Sequence, residues 1–183
     1  MIAIVVVVIL LVLVVGGFVV TYNGLVRRRN GVDNAWAQVD VQLRRRYDLI
    51  PNLVQTVKGY AKHERETFEA VTQARASAVN AQGPAQQAQA EGALSSTLRS
   101  LFAVAEAYPG LKADQNFRSL QDQLSDTETR IAAARQFYND ATVAYNNATQ
   151  TFPANVVARM GSFPQRQYFS TDGEARGPVA VSF

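Results

Sequence analysis

The sequence predicts an all-α protein with an N-terminal transmembrane helix, an antiparallel up-down four-helix bundle and a partly ordered C-terminal tail. Residues 2–20 are nineteen consecutive residues without a polar side chain. Residues 117–152 carry mostly apolar side chains at alternating spacings of three and four, and the stretches between show weaker helical periodicity interrupted by Pro and Gly. We therefore divide the 183 residues into an anchor (1–22), a helical bundle (23–152) and a tail (153–183).

The apolar segment at residues 2–20 has the length of a membrane span. A helix of nineteen residues is roughly 28 Å long, close to the hydrocarbon thickness of a bilayer. In lipid the backbone must satisfy its own hydrogen bonds, which enforces a helix despite the Val-rich composition. An aromatic residue and three basic residues follow the span, and we predict that they lie at the membrane interface: Tyr22, Arg27, Arg28 and Arg29.

A cleaved signal peptide is the alternative interpretation of this segment. It requires positive charge before the apolar run and a small-x-small cleavage site after it. Here the arginines follow the run, whose exit reads GFVVTY, and the absence of Cys excludes a lipoprotein signal. We therefore expect the anchor to be retained. Because only the C-terminal flank is basic, the positive-inside rule places the C-terminal domain in the cytoplasm, with the periplasmic or extracellular side as the alternative.

The clearest helix of the remaining chain lies between Phe117 and Phe152. Its spacing predicts a sustained heptad seam and a long helix with a gentle left-handed supercoil. The seam residues are Phe117, Leu120, Leu124, Thr127, Ile131, Ala134, Tyr138, Ala141, Tyr145, Ala148 and Phe152.

Three further helices are indicated at residues 32–50, 53–78 and 94–108. Pro51 lacks an amide hydrogen and disfavours helix at the preceding residue, so we predict a turn there. If Pro51 only kinks the helix, the architecture becomes a three-helix bundle with one very long arm. Turns are also predicted at residues 80–84 and at Pro109-Gly110. The tail holds a predicted short helix, residues 154–160, and its last ten or so residues are expected to be loose.

The composition argues against most enzyme chemistry. The chain has no Cys and a single histidine, His63, which leaves no thiolate nucleophile, disulfide or paired-imidazole metal site. We therefore predict no catalytic residue, no metal and no cofactor. Residues 1–65 carry a net charge of +5 and residues 66–183 a net charge of −2. This basic excess is too small to predict nucleic-acid binding.

A polar layer is predicted inside the bundle. Glu64 falls on the apolar seam of the second predicted helix, where a carboxylate is costly unless it is paired. With a turn at Pro51, the antiparallel partner at the same height is the segment from Trp36 to Asp40. We therefore predict a layer formed by Trp36, Gln38, Asp40 and Glu64; a solvated Glu64 at the edge of the seam is the alternative.

The arginine triplet at residues 44–46 cannot form one compact patch on a helix, because consecutive residues point about 100° apart. At least one of the three must flank the core and pair with Asp40, Asp48 or Glu64.

The tail carries three aromatic residues whose rings must be shielded from water, namely Phe163, Tyr168 and Phe169. Their parent bundle, a neighbouring subunit or partner, and the membrane surface are the three alternatives.

The run from Ala35 to Glu64, which begins AWAQVDVQLRRRYDLIPNLV, is similar to the signature block of the bacterial LemA family. The resemblance continues in Tyr22–Val26, in RQFYN at residues 135–139 with Tyr145-Asn146, and in FPAN at residues 152–155 with Tyr168-Phe169. It covers almost the whole chain from Tyr22 to Phe169. The resemblance implies a single-pass inner-membrane protein with a four-helix-bundle domain. It implies no activity, since the family offers no established catalytic residues to carry over.

The favoured functional hypothesis is a membrane-anchored, non-enzymatic scaffold or adaptor that self-associates. Gly16 and Gly17 in the span and the aromatic tail favour association with a second copy or with other membrane proteins. The second hypothesis is an enzyme or accessory subunit with a cleft that gathers two or more of Asp40, Asp48, Tyr60 and Glu64. The third is a sensor whose juxtamembrane arginines bind anionic lipid.

Overall fold

The computed structural model describes residues 1–170, and these form six α-helices without a β-strand. The prediction of an all-α fold with a long apolar N-terminal helix is confirmed. The helices are α1 (Ile2–Tyr60), α2 (Arg65–Asn80), α3 (Gly83–Glu106), α4 (Pro109–Ala113), α5 (Gln115–Gln150) and α6 (Ala154–Met160).

The chain divides into two compact units. The N-terminal unit contains residues 1–37 and 137–167, and the central unit contains residues 38–136 together with residues 168–170. Helices α1 and α5 each contribute to both units.

Helix α1 continues through Pro51 to Tyr60, so the predicted turn at Pro51 is wrong. Pro51 has no N–H group and cannot donate to the carbonyl of Tyr47 one turn earlier. The Nε–H of Arg75, on α2, donates to that carbonyl instead, at 2.7 Å. A tertiary contact thus replaces the hydrogen bond that the proline removes, and the helix is retained.

The predicted second helix is split into two pieces. Its first half is the end of α1, residues 61–64 form a turn, and α2 begins at Arg65. Helix α2 packs against α3. The turn predicted at residues 80–84 is present: Gly83 has φ +77°, which favours glycine, and Pro84 lies in the first turn of α3, where its missing N–H costs nothing.

The predicted turn at Pro109-Gly110 is instead the start of the five-residue helix α4. Pro109 is tolerated there because the first amides of a helix have no intrahelical partner. Asp114 then separates α4 from α5. Its Oδ1 accepts a hydrogen bond from the backbone N–H of Phe117 at 2.9 Å, the N-cap geometry that starts α5.

The seam predicted for the last long helix is confirmed as the covered face of α5. Every seam residue from Phe117 to Ala148 is buried or half-buried. Phe152 lies beyond the end of α5 and is 83% exposed. The seam therefore ends with the helix.

Each unit has its own apolar core. In the N-terminal unit the buried side chains come from α1, α5, α6 and the segment after it: Leu25, Val32, Ala35, Tyr138, Tyr145, Val157, Ala158 and Phe163. In the central unit they come from α1, α2, α3 and α5, and include Val39, Leu43, Ile50, Leu53, Val57, Phe68, Val71, Leu94, Leu98, Leu101, Phe117, Leu124 and Ile131.

Residues 2–20 of α1 are exposed along their whole length. Among the described residues, α1 is the one helix long and apolar enough to cross a membrane. At the other end of the chain, α6 occupies residues 154–160, as the sequence predicts. The loose last ten residues predicted for the tail lie outside the described residues.

Candidate functional site

The main polar feature of the central unit is a buried arginine on α1. Arg46 is 3% exposed. Its Nη1 donates to Glu91 Oε2 at 2.7 Å and its Nη2 donates to Ser95 Oγ at 2.8 Å. Its Nε lies 2.9 Å from Glu128 Oε1, which is an ion-pair distance but without the alignment of a hydrogen bond. Helices α3 and α5 thus each supply an acceptor to one guanidinium.

Glu91 is held from a second side by two neutral donors. The Tyr47 hydroxyl donates to Glu91 Oε1. Gln87 Nε2 donates to Tyr47 Oη at 2.7 Å, to Glu91 Oε1 at 3.1 Å and to the Ala78 carbonyl at 3.1 Å. Burial, assisted by the hydrogen bond to Glu91, raises the pKa of Tyr47, so the phenol stays protonated and remains a donor. We refer to Arg46, Tyr47, Gln87, Glu91 and Glu128 as the buried polar cluster.

A groove of about 420 Å³ lies beside the buried polar cluster between α3 and α5. Its wall combines Arg46, Ser95 and Glu128 with the apolar side chains Leu98, Phe102 and Leu124. Burial is the main cause that raises the pKa of Glu128, and the charge of Arg46 opposes it. Since Arg46 is already hydrogen-bonded to Glu91 and Ser95 and ion-paired with Glu128, its role in this wall is to fix α1, α3 and α5 together.

The structure does not bring the predicted polar layer together. Gln38 is exposed and Asp40 is half-buried on α1, whereas Glu64 is half-buried in the turn after that helix. Asp40 and Tyr60 are twenty residues apart on one helix, a separation of about 30 Å. The antiparallel pairing that the layer required depended on the turn at Pro51. Trp36 belongs to the N-terminal unit, where its ring meets the Tyr138 ring edge to face, with centroids 5.2 Å apart.

The arginine triplet behaves as its helical geometry predicts. Arg44 forms the exposed ion pair with Asp40 at 2.9 Å, and Arg46 is the member that enters the core. The partners of Arg46 are Glu91 and Glu128, so the prediction that the core-flanking arginine pairs with Asp40, Asp48 or Glu64 is wrong. A signal was present: Gln87 and Glu91 continue the spacing of Leu94 and Leu98 by steps of four, three and four, which placed two polar residues on the apolar seam of α3.

The acidic cleft required by the enzyme hypothesis is also not assembled. Asp48 is exposed, Asp40 lies on α1 about 30 Å from the end of that helix, and Glu64 lies in the turn that follows it. The Tyr60 hydroxyl donates to Asp114 Oδ2 at 3.0 Å, and this bond is the main cause that raises the pKa of Tyr60. Within residues 1–170, no three His, Asp or Glu side chains are grouped as metal ligands.

Three of the four predicted membrane-interface residues contact their own unit. The Tyr22 ring meets the Phe163 ring edge to face, with centroids 5.4 Å apart, and the Arg29 guanidinium lies 5.3 Å from the same ring. Arg28 Nη1 donates to the Ala144 carbonyl at 3.5 Å. Arg27 is exposed.

The segment after α6 is fastened to the N-terminal unit through its backbone. We call residues 164–167 the strap. The Tyr145 hydroxyl donates to the Pro164 carbonyl at 2.9 Å, and the Tyr138 hydroxyl donates to the Gln167 carbonyl at 2.7 Å. The Asn146 side chain brackets Arg166: its Nδ2 donates to the Arg166 carbonyl and its Oδ1 accepts the Arg166 N–H, both at 2.9 Å. Arg166 Nη2 also pairs with Asp33 Oδ1 at 2.9 Å.

Two of the three aromatic residues predicted as partner contacts are covered by their own chain. Phe163 is buried in the N-terminal unit against Tyr22, and Phe169 is buried in the central unit with the Arg135 guanidinium 4.5 Å from its ring. Of the three alternatives for covering Phe163 and Phe169, the structure has packing on their own chain, which already removes both rings from water. Tyr168 is 42% exposed.

Comparison with known proteins gives related sequences. The family model described as "LemA family" matches residues 35–183. Magnetosome proteins MamQ 1 and MamQ 2 of Paramagnetospirillum magneticum are each 25% identical over 184 residues, which cover 86% of this chain and 68% of theirs. Protein LemA of Metamycoplasma hominis is 27% identical over 138 residues, which cover 75% of this chain and 63% of its own.

The family match covers most of the chain. It includes Arg46, Tyr47, Gln87, Glu91 and Glu128, all the members of the buried polar cluster. It also includes the strap and the two aromatic residues that hold it. The chain belongs to the LemA family.

Proposed function

We propose that this protein is a membrane-anchored, non-enzymatic scaffold or adaptor that presents a helical domain beside the membrane and self-associates. The observation that carries the proposal is the continuity of α1: the exposed apolar segment at residues 2–20 runs into the buried residues Leu25 and Val32 without a linker. The anchor and the first helix of the folded domain are thus the same element.

The domain organisation that we propose has an anchor (1–22), a helical bundle (23–152) and a tail (153–183). Contacts within the central unit support four packed helices there. The buried polar cluster joins α1, α3 and α5 through Arg46, α2 packs against α3, and Arg75 joins α2 to α1. These contacts support the up-down four-helix bundle that we propose.

The chemistry of the central unit supports a structural role. Arg46, Tyr47 and Glu91 are the strongest candidates for reactive groups in the core, and all of them are engaged with one another or with Ser95 and Gln87. A guanidinium that is paired with two carboxylates and a phenol that is held protonated are poor catalysts. They are well suited to fix the relative placement of helices.

The location that we propose is the bacterial inner membrane, with a single span and the C-terminal domain in the cytoplasm. Arg27, Arg28 and Arg29 directly after the span support this orientation. The proposed partners are membrane lipid, further copies of the same chain and other membrane proteins.

Membrane fractionation followed by mass measurement tests the anchored scaffold. We expect the full chain to stay in the membrane pellet after an alkaline wash, and a chain lacking residues 1–22 to move into the aqueous fraction. In mild detergent, light scattering should give a protein mass that is a multiple of the chain mass. A washed-out full chain would contradict anchoring, and a monomer at every concentration would contradict self-association.

Cysteine labelling in intact cells tests the proposed orientation. The chain has no Cys, so a Ser96→Cys variant carries a single thiol on the exposed face of α3. We expect a membrane-impermeant maleimide to label this thiol only after lysis, because a cytoplasmic domain is shielded by the membrane. Equal labelling in spheroplasts with an intact inner membrane would place the domain on the outer side.

A further inference from the structure

We propose that helix α6 is a second membrane contact, in which Phe152, Val156 and Met160 enter the interface of the bilayer that α1 spans. The proposal rests on the proposed anchoring of residues 2–20. It assigns a ligand, the lipid surface, to a face of the N-terminal unit that the scaffold role does not use.

Three large apolar side chains are exposed on α6 and directly before it. Phe152 is 83% exposed, Val156 is 50% exposed and Met160 is 71% exposed. Residues spaced by four lie on the same face of a helix, so Val156 and Met160 share the outer face of α6, and Phe152 precedes its first turn. The opposite face carries Val157 and Ala158, which are buried. The helix is thus held by one apolar face and exposes a second one.

The contacts of the next residues place this face where the span ends. Gly161 follows α6 directly, and a Cβ atom added to it would lie 3.1 Å from the Tyr22 ring. The Phe163 ring also packs on Tyr22, and Tyr22 lies beside Phe18, with ring centroids 6.4 Å apart. Phe18 belongs to the apolar run, and Tyr22 is the second residue after it. The C-terminal end of α6 is therefore fixed beside the last turn of the span.

The charge around the exposed face suits a lipid surface. Arg159 is exposed in the last turn of α6, and Arg27 is exposed on α1 beyond Tyr22. The segment from residue 151 to residue 163 contains no Asp or Glu. Interfacial helices combine an apolar face that lies about 5–10 Å below the headgroups with basic residues that contact anionic lipid. A short helix tied to a span at headgroup level meets this description, so we choose the bilayer over a protein as its occupant.

Fluorescence quenching by spin-labelled lipid tests the proposal on the full chain. Since the sequence has no Cys, single thiols can be introduced by Val156→Cys and Met160→Cys on α6. Phe18→Cys reports the span, and Val79→Cys is a matched control because Val79 is also an exposed apolar residue, on α2 in the central unit. Each variant is labelled with an environment-sensitive fluorophore and reconstituted in vesicles of phosphatidylethanolamine and phosphatidylglycerol. The quencher is a lipid with a nitroxide at the top of its acyl chain.

We expect labels at residues 156 and 160 to be quenched several-fold more strongly than the label at residue 79, at every protein-to-lipid ratio. If they are quenched no more than residue 79 while residue 18 is quenched, the α6 contact is overturned and the anchor stands. If residue 18 is not quenched either, anchoring itself fails and α6 fails with it. Quenching at residues 156 and 160 that disappears when the protein is diluted in lipid would indicate a protein contact and would also overturn the proposal.

Discussion

Arg44 and Arg46 lie two residues apart on α1 and meet opposite surroundings. Two helical residues at this spacing point about 200° apart, so one faces water when the other faces the core. Arg44 forms an exposed ion pair with Asp40, whereas Arg46 is buried and holds Glu91, Glu128 and Ser95. The pair therefore offers an internal comparison of what a surface charge and a buried charge contribute to one helix.

Replacing Arg46 should destabilise the central unit far more than replacing Arg44. In Arg46→Met the buried carboxylate of Glu91 loses its counter-charge, which costs about 3–5 kcal/mol for a buried pair. In Arg44→Met only an exposed i, i+4 pair is lost, and the change should stay within about 0.5 kcal/mol. Urea unfolding followed by circular dichroism in mild detergent measures both values. Equal losses in the two variants would contradict the role assigned to Arg46.

A double variant separates the uncompensated charge from lost packing. Glu91→Gln in the Arg46→Met background removes the buried charge and keeps a side chain of similar size, so part of the lost stability should return. If the double variant is less stable than Arg46→Met alone, the loss comes from packing rather than from the unpaired carboxylate of Glu91.

The helical period predicts that the arginines of the triplet differ in burial, but not which one is buried or what it binds. The exposed pair of Arg44 with Asp40 follows from the period of the helix alone. The pairing of Arg46 with Glu91 depends on how α3 passes α1, and two residues 45 positions apart have no local signal that joins them. For Glu64 the local pattern predicts a place on the buried face of a helix. Helix α1 ends at Tyr60, however, and Glu64 lies in the turn that follows.

At the scale of elements, the unbroken helix α1 is explained by a contact with its neighbour. Pro51 removes the hydrogen bond to the Tyr47 carbonyl, and the Arg75 side chain on α2 supplies the missing donor at 2.7 Å. The same contact fastens α2 to α1 at the residue next to Arg46. The proline thus leaves the Tyr47 carbonyl free to accept a hydrogen bond from α2, and this bond links the two helices.

A double-mutant cycle tests this link between Pro51 and Arg75. Arg75→Met leaves the part-buried Tyr47 carbonyl without its donor, and the expected loss is about 1–3 kcal/mol. In a Pro51→Ala background, the new N–H of residue 51 can reach that carbonyl, so the same Arg75→Met change should cost about 1 kcal/mol less. Thermal unfolding of the four proteins gives the coupling. Strict additivity would show that Arg75 acts through some other contact.

Helices α5 and α6 were predictable because their own residues determine them. The seam of α5 keeps its spacing over ten turns, and α6 lies between Pro153 and Gly161. The break at residues 61–64 was missed for a physical reason. Val57 before the turn, Ala61 within it and Phe68 after it are all buried, so the apolar period crosses the turn without interruption, and residues 61–64 contain neither Pro nor Gly.

At the scale of the whole molecule, the fold class and the apolar segment were predictable because they depend on composition and length. Bilayer thickness sets the number of apolar residues in a span, and 3.6 residues per turn sets the pattern of a helix. The division into two units was not predictable. Its boundaries fall at residues 37 and 136, inside α1 and α5, where the chain runs on as regular helix and local composition does not change.

The way the strap is held has a consequence for how this part of the chain tolerates change. Tyr138, Tyr145 and Asn146 bind main-chain atoms of residues 164, 166 and 167, and the side chains of Gln165 and Gln167 are exposed. Hydrogen bonds to backbone atoms do not depend on which side chains the strap carries, but they do depend on the number of residues in it. Replacing either glutamine would leave the fastening intact, whereas deleting or inserting one residue there would move every bonded atom out of reach.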